Sequence, residues 1–364
     1  NGSSMRVFNL GFSNNSTFYQ IGSDGGLLSE PISMDRLLLA PAERAELLVD
    51  LSDMTGESIE LKSYGSTLPQ SAYGIAGLST MQGVAPSGYN SNELNGNDFI
   101  LLDINVGVQT DNPILTIPSL LVDVTPIDES EATLTRNLQI TAPNMMQNSI
   151  TGPFVFDGQS FDMNVINQTV QLGDTEIWEI FNMSMVAHPF HIHDVQFYIL
   201  DRNGVIPPEN ERGRKDVVLV KNMETVRFIA KFEDHADDEV PYMYHCHMLQ
   251  HEDEGLMGQF IVEGESVGID NSITLPNDFV LFPAYPNPFN PTTTIRFKLV
   301  TSQQNASLRI YDISGRLVET LLNEKLIAGE HEIKWNGGNN PSGVYFISFE
   351  TGEFFSNQKI ILMK

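Results

Sequence analysis

"YHCHMLQHEDEGLM", residues 244–257, sets the only cysteine of the chain between two histidines and places His251 five residues beyond the thiol. On a strand, successive side chains point to opposite faces. His245 and His247 therefore share one face, and Cys246 points to the other. A second stretch, "HPFHIHDVQF" (188–197), follows the same rule. His191 and His193 share a face, while His188, an odd number of residues from His191, is free to face the other way. If the two strands pair, one face offers four imidazoles and the other offers Cys246 and His188. His251, on the turn after the second strand, can swing back to complete a His₂Cys set. Imidazole suits copper and a soft thiolate favours Cu(I), so this set matches a trigonal blue-copper site. Zinc is the rival metal, but a lone His₂Cys set backed by further imidazoles suits electron transfer better than a closed zinc site. Six of the eight histidines fall in these two clusters.

Working outward, β-structure runs almost throughout. Alternating runs such as "MRVFNLGF" (5–12), "AELLVDL" (45–51), "DFILLDINV" (98–106), "TEIWEIFN" (175–182), "TVRFIAKF" (225–232) and "GQFIVEG" (258–264) are separated by Gly, Asn, Asp and Pro turns. Many short strands with such turns predict an all-β chain of Greek-key sandwiches or barrels. A turn-rich stretch near 106–137 and a second break near 264–278 divide the chain. The expected organisation is a domain at 1–108, a connection at 109–135, a metal-binding domain at 136–264, a linker at 265–277 and a last domain at 278–364.

The chain has 364 residues, 41% apolar and 18% charged, enough for two or three domains with real cores. Its net charge of −27 argues against nucleic acid as a partner, since a polyanion gains nothing from phosphate contacts. No apolar run is long enough for a membrane span. A single cysteine forms no internal disulfide. Asn1 in place of a methionine, with no charged-then-apolar leader, reads as a processed protein or a fragment.

"HPFHIHDVQF" and "YHCHMLQHEDEGLMGQF", together with "TEIWEIFNMSMVAHPFHIH" and "GRKDVVLVKNMETVRF", resemble the C-terminal copper-binding half of the three-domain multicopper oxidases, the laccase and cuprous-oxidase family. "NGSSMRVFNLGF" and "YQIGSDGGLLSEPISMDRLLLAPAERAELLVDL" resemble that family's middle cupredoxin domain, which usually binds no copper. Residues 1–108 hold no His or Cys. The resemblance implies that His188, Cys246 and His251 hold a type 1 copper. His191 would serve a type 2 copper, and His193, His245 and His247 the type 3 pair. The whole protein would oxidise a small reducing substrate and reduce dioxygen to water. Glu252 matches the carboxylate that passes protons toward the oxygen site, with a solvated acidic residue as the alternative. Leu256 stands where many bacterial members carry an axial methionine, and Met257 is one residue late. A non-coordinating Leu256 raises the copper's potential; a one-residue shift would let Met257 bind instead.

The third stretch has its own signature. "YPNPFNPTTTIRF" (285–297), "LRIYDISGRLVETL" (308–321), "AGEHEIKWNG" (328–337), "SGVYFISFETG" (342–352) and "KIILMK" (359–364) resemble the C-terminal sorting domain of type IX secretion cargo, an immunoglobulin-like sandwich. This implies the type IX machinery as a partner, export through the periplasm, and a secreted or cell-surface location. His235, in an acidic run, and His331 read as bystanders, and Trp178 and the scattered methionines as core.

The family's trinuclear copper cluster takes further histidines from HxH pairs in an N-terminal domain, and only His235 and His331 are left over here. The missing N-terminal cupredoxin domain is thus an expected partner. Two other readings stay open: a standalone blue-copper electron-transfer or copper-carrying protein, and a surface protein without redox function. The sequence leaves the substrate open among phenols, Cu(I), Mn(II) and pigments.

Overall fold

The computed structural model describes residues 1–78, 87–111, 113, 115–143, 150–264, 280–282, 284–299, 303–313, 315–351 and 355–363, with 280, 303 and 304 described by backbone alone. The expected linker at 265–277 lies outside them. The chain divides into two compact units, 1–269 and 270–364.

Among the described residues of the first unit, alternating apolar residues build four sheets. Leu37–Leu39, Phe8–Phe12, Ser58–Tyr64 and Asp98–Asn105 form one, in that order; Gly26–Met34, Phe18–Ser23 and Glu46–Val49 form another. Phe12, Phe18 and Ile59 fill the small core associated with these two. Among the described residues, the following stretch carries no strand until Leu134, where two five-stranded sheets begin. One runs Phe197–Arg202, Thr225–Lys231, Thr175–Asn182, Leu134–Thr141 and Val155–Phe156. Its register sets Trp178 opposite Phe228, with rings stacked at 6.3 Å. Trp178 is fully buried, and truncating so large a core ring costs roughly 3–5 kcal/mol.

The other sheet runs Gln168–Gln171, Met257–Glu263, Asp237–Cys246, His188–Ile192 and Val217–Val220. The cysteine strand is central, and the histidine strand beside it is paired on both edges. Two neighbours each leave these strands little freedom, which suits a site needing fixed geometry. Met5, Val7, Ala40 and Ala72 of the first stretch join the core of Trp178, Phe190 and Cys246. The first two expected domains therefore share one continuous core.

The second unit is a sandwich of its own. Val280–Leu281, Thr292–Leu299 and Gly329–Asn336 face Leu317–Leu326, Gln303–Asp312, Gly343–Glu350 and Phe355–Leu362. Phe297, Trp335, Ile347 and Phe349 are buried in its core. One expectation is corrected here. Met5 and Met248 are buried, but Met163, Met223 and Met363 are 76%, 59% and 57% exposed. These three lie on turns and at a strand end, where no alternation directs a side chain inward.

Candidate metal centre

The histidine and cysteine strands pair antiparallel, with Phe190 opposite Cys246 and His191 opposite His245. Directly opposed residues share a face. His188 and Cys246 consequently meet on the core side, and His191 and His245 on the other. After Cys246 the chain turns into a single helical turn, Leu249–Asp253, which returns His251 to the thiol.

On the core side, the Nδ1 atoms of His188 and His251 each lie 3.6 Å from Cys246 Sγ and 3.1 Å from one another. All three residues are buried. The far nitrogens are already engaged. Ser184 Oγ donates to the carbonyl of Val186 at 2.9 Å, so at 2.7 Å from His188 Nε2 it accepts that ring's proton. His251 Nε2 donates to the carbonyl of Ile150 at 3.0 Å. Both rings therefore turn an Nδ1 lone pair toward the sulfur. The Met248 amide donates to Sγ at 3.4 Å, and the Phe154 ring meets both imidazoles edge-on at 4.6 and 4.8 Å.

Burial pushes His251 down to about 4 and His188 well below its usual range, the latter also through the neighbouring His251. Both rings are neutral at physiological pH, as ligands must be. Burial drives the Cys246 thiol up, so ionising it in place needs a cation beside it. Among the described residues no fourth His, Cys or carboxylate joins this group. Two neutral imidazoles and one buried thiol, at a spacing that bonds of about 2.0–2.3 Å can span, fit a trigonal copper ion better than a four-coordinate zinc. Leu256 is fully buried in the core that includes Cys246. Met257 is paired with His245 and so belongs to the opposite face.

On that opposite face, ligand atoms of His191, His193 and His245 lie within 4.8 Å of one another. His193 Nε2 is 3.3 Å from His245 Nε2. The His247 ring stands 5.6 Å from that of His191 and 5.3 Å from that of His245. His191 Nδ1 donates to the Asp216 carbonyl at 2.7 Å, leaving Nε2 free. His245 Nδ1 lies 3.1 Å from the Cys246 carbonyl and 3.3 Å from Glu252 Oε2. Burial lowers His245 to about 4 and also lowers His191 and His193. His245 is buried, His191 and His247 are half-buried and His193 is exposed, so this face opens outward. The structure thus brings together every residue singled out for the two groups and sets Glu252 beside His245. His235, with a 73% exposed side chain, and His331 join neither group. Ser184, Ile150 and Asp216 were not foreseen. Of these only Ser184, four residues before His188, left a local trace.

Two donor groups on opposite faces of one strand pair, in Greek-key sandwiches, place the first unit among the cupredoxin-type folds. Residues 130–266 match the Multicopper oxidase family, and residues 283–363 match the Secretion system C-terminal sorting domain. The chain thus carries a multicopper oxidase domain followed by a secretion sorting domain. It is 32% identical over 267 residues to a multicopper oxidase of Staphylococcus haemolyticus, across 72% of this chain and 46% of that one. A laccase of Bacillus subtilis is 27% identical over 279 residues, across 71% and 48%. Among solved structures, the McoA multicopper oxidase of Aquifex aeolicus superposes with a TM-score of 0.58 at 27% identity, across 72% and 54%. The chain therefore spans about half the length of these relatives. A cell division protein of Photorhabdus laumondii is also 31% identical, so activity must be argued from the ligands rather than the fold.

Proposed function

We propose that this chain is the C-terminal copper-binding half of a multicopper oxidase, which couples one-electron oxidation of a small reducing substrate to reduction of dioxygen to water. One observation carries the reading: Cys246 lies in a complete His₂Cys group while its chain neighbours His245 and His247 lie in an all-imidazole group on the other face. Copper held at these groups supplies one-electron redox chemistry at the first and oxygen reduction at the second. His188, Cys246 and His251 hold the type 1 ion. His191 serves the type 2 ion, and His193, His245 and His247 the type 3 pair. The backbone through 245–247 is a short covalent path between the groups. Glu252, 28% exposed and 3.3 Å from His245, moves protons between solvent and the imidazole face. The outward opening of that face supports a second wall of imidazoles from an N-terminal cupredoxin domain.

Leu256, fully buried in the core that includes Cys246, would leave the ion without a further protein ligand, and a redox titration of the copper-loaded chain tests the assignment. Leu256→Met should lower the potential by adding a weak donor, whereas Met257→Leu, altering the opposite face, should leave it nearly unchanged. The reverse pattern would make Met257 the additional ligand, and no copper-dependent potential at all would sink the reading.

The complete His₂Cys group also favours a second reading, a standalone electron-transfer protein. Oxygen uptake by the protein with a second imidazole wall separates the two.

The second unit directs export through the periplasm by the type IX machinery, to a secreted or cell-surface location. Its separate core supports removal without unfolding the first unit. Deleting 278–364 should leave the copper unit folded but retained in the periplasm of a type IX secreting host. Normal appearance of the shortened protein in the medium would contradict this role.

A further inference from the structure

We propose that Arg44, in the stretch without any metal ligand, is a positioning residue for His191, acting through Asp216. The inference rests on reading His191 as a copper ligand. Arg44 Nη1 and Nη2 donate to Asp216 Oδ1 and Oδ2 at 2.7 and 2.8 Å, a bidentate fork. The same guanidinium donates to the carbonyls of Ala42 at 3.0 Å and Asp24 at 2.9 Å, so its plane is fixed. The residue next to each partner forms a second, reversed ion pair: Lys215 Nζ lies 3.2 Å from Glu43 Oε1 and 2.9 Å from Asp24 Oδ2. Consecutive Glu43–Arg44 thus grips consecutive Lys215–Asp216 with opposite charges.

The roles of the two pairs differ. Lys215, Asp24 and Glu43 have nearly buried side chains and staple the two stretches together. The Arg44 side chain is 50% exposed, where an ion pair contributes little to stability. What it does is orient. Asp216 immediately precedes the strand Val217–Val220, whose first residue is paired with His191. The Asp216 carbonyl accepts the Ile192 amide at 3.4 Å and the His191 Nδ1 proton at 2.7 Å, and the fork on both carboxylate oxygens holds the residue from its side-chain end. The bond from Nδ1 selects the tautomer with a bare Nε2, the only ring nitrogen His191 can then offer to a metal.

The test uses the full chain, metal-free and ¹⁵N-labelled at histidine, at about pH 8, where the imidazoles are neutral. Two-bond proton–nitrogen correlations should show His191 as the single Nδ1–H tautomer in the wild type. In Arg44→Gln it should become a mixture of tautomers while His188 and His251 are unchanged. Arg44→Lys, which keeps the charge but cannot fork, should fall between. In a Cys246→Ser background, Cu(II) titration of the imidazole face should show about 10–100-fold weaker binding for Arg44→Gln. A His191 that keeps its single tautomer in both Arg44 variants would overturn the proposal and leave Arg44 as a surface staple. Mixed tautomers in a protein whose imidazole face binds no copper would uphold the positioning role and overturn the copper reading instead.

Discussion

Cys246→Ser is expected to abolish the intense blue absorption that the wild-type chain develops on taking up copper. The band is charge transfer from thiolate to copper, and Cys246 is the only thiol in the chain. Its two companions stand at 3.6 Å with Nδ1 lone pairs already directed inward by Ser184 and Ile150, so the donor set is gathered before any ion enters. Serine is nearly isosteric, and the Met248 amide that donates to the sulfur can donate to its oxygen instead. The cost to folding stays within the roughly 1–3 kcal/mol of an imperfectly satisfied buried hydroxyl. A hydroxyl is a hard, weakly donating ligand, however, and gives no such band. Absorption spectra of the two proteins after one equivalent of copper, with circular dichroism to verify the fold, decide the matter. A blue serine variant would mean that the chromophore lies elsewhere.

Purified 1–364 is expected to bind close to one copper tightly and to show negligible steady-state oxidase activity on phenols, with turnover restored by an N-terminal cupredoxin domain bearing two HxH motifs. The first group is closed and buried. The second offers its imidazoles from one side only, with His193 exposed, and ions held on one side are bound weakly because nothing fixes their remaining coordination. Dioxygen takes four electrons on its way to water and needs a cluster that holds its metals throughout. The expected loss without the second wall is therefore nearly complete rather than partial. Copper analysis together with oxygen uptake, with and without the added domain in cis or in trans, reads both halves of the expectation. Robust oxygen consumption by the bare chain with four coppers bound would contradict it and point to ligands from a second copy.

Much of the site was legible in the sequence because it depends on local backbone geometry. The two-residue period of a strand separates Cys246 from His245 and His247 whatever the rest of the chain does. The same period, read in "TEIWEIFN" and "TVRFIAKF", located the paired strands Thr175–Asn182 and Thr225–Lys231. Only the tertiary structure decided which atoms of those side chains face each other. The choice of Nδ1 at His188 and His251, and of Nε2 at His191, is made by Ser184, Ile150 and Asp216. Two of these three act through backbone carbonyls, which leave no mark in residue identity. The clamp of Arg44 on Asp216 spans 172 positions, and the exclusion of Met257 from the core face follows from its register against His245. Periodicity is a property of consecutive residues, whereas tautomer, register and charge pairing are settled by elements that meet only when the sheets pack.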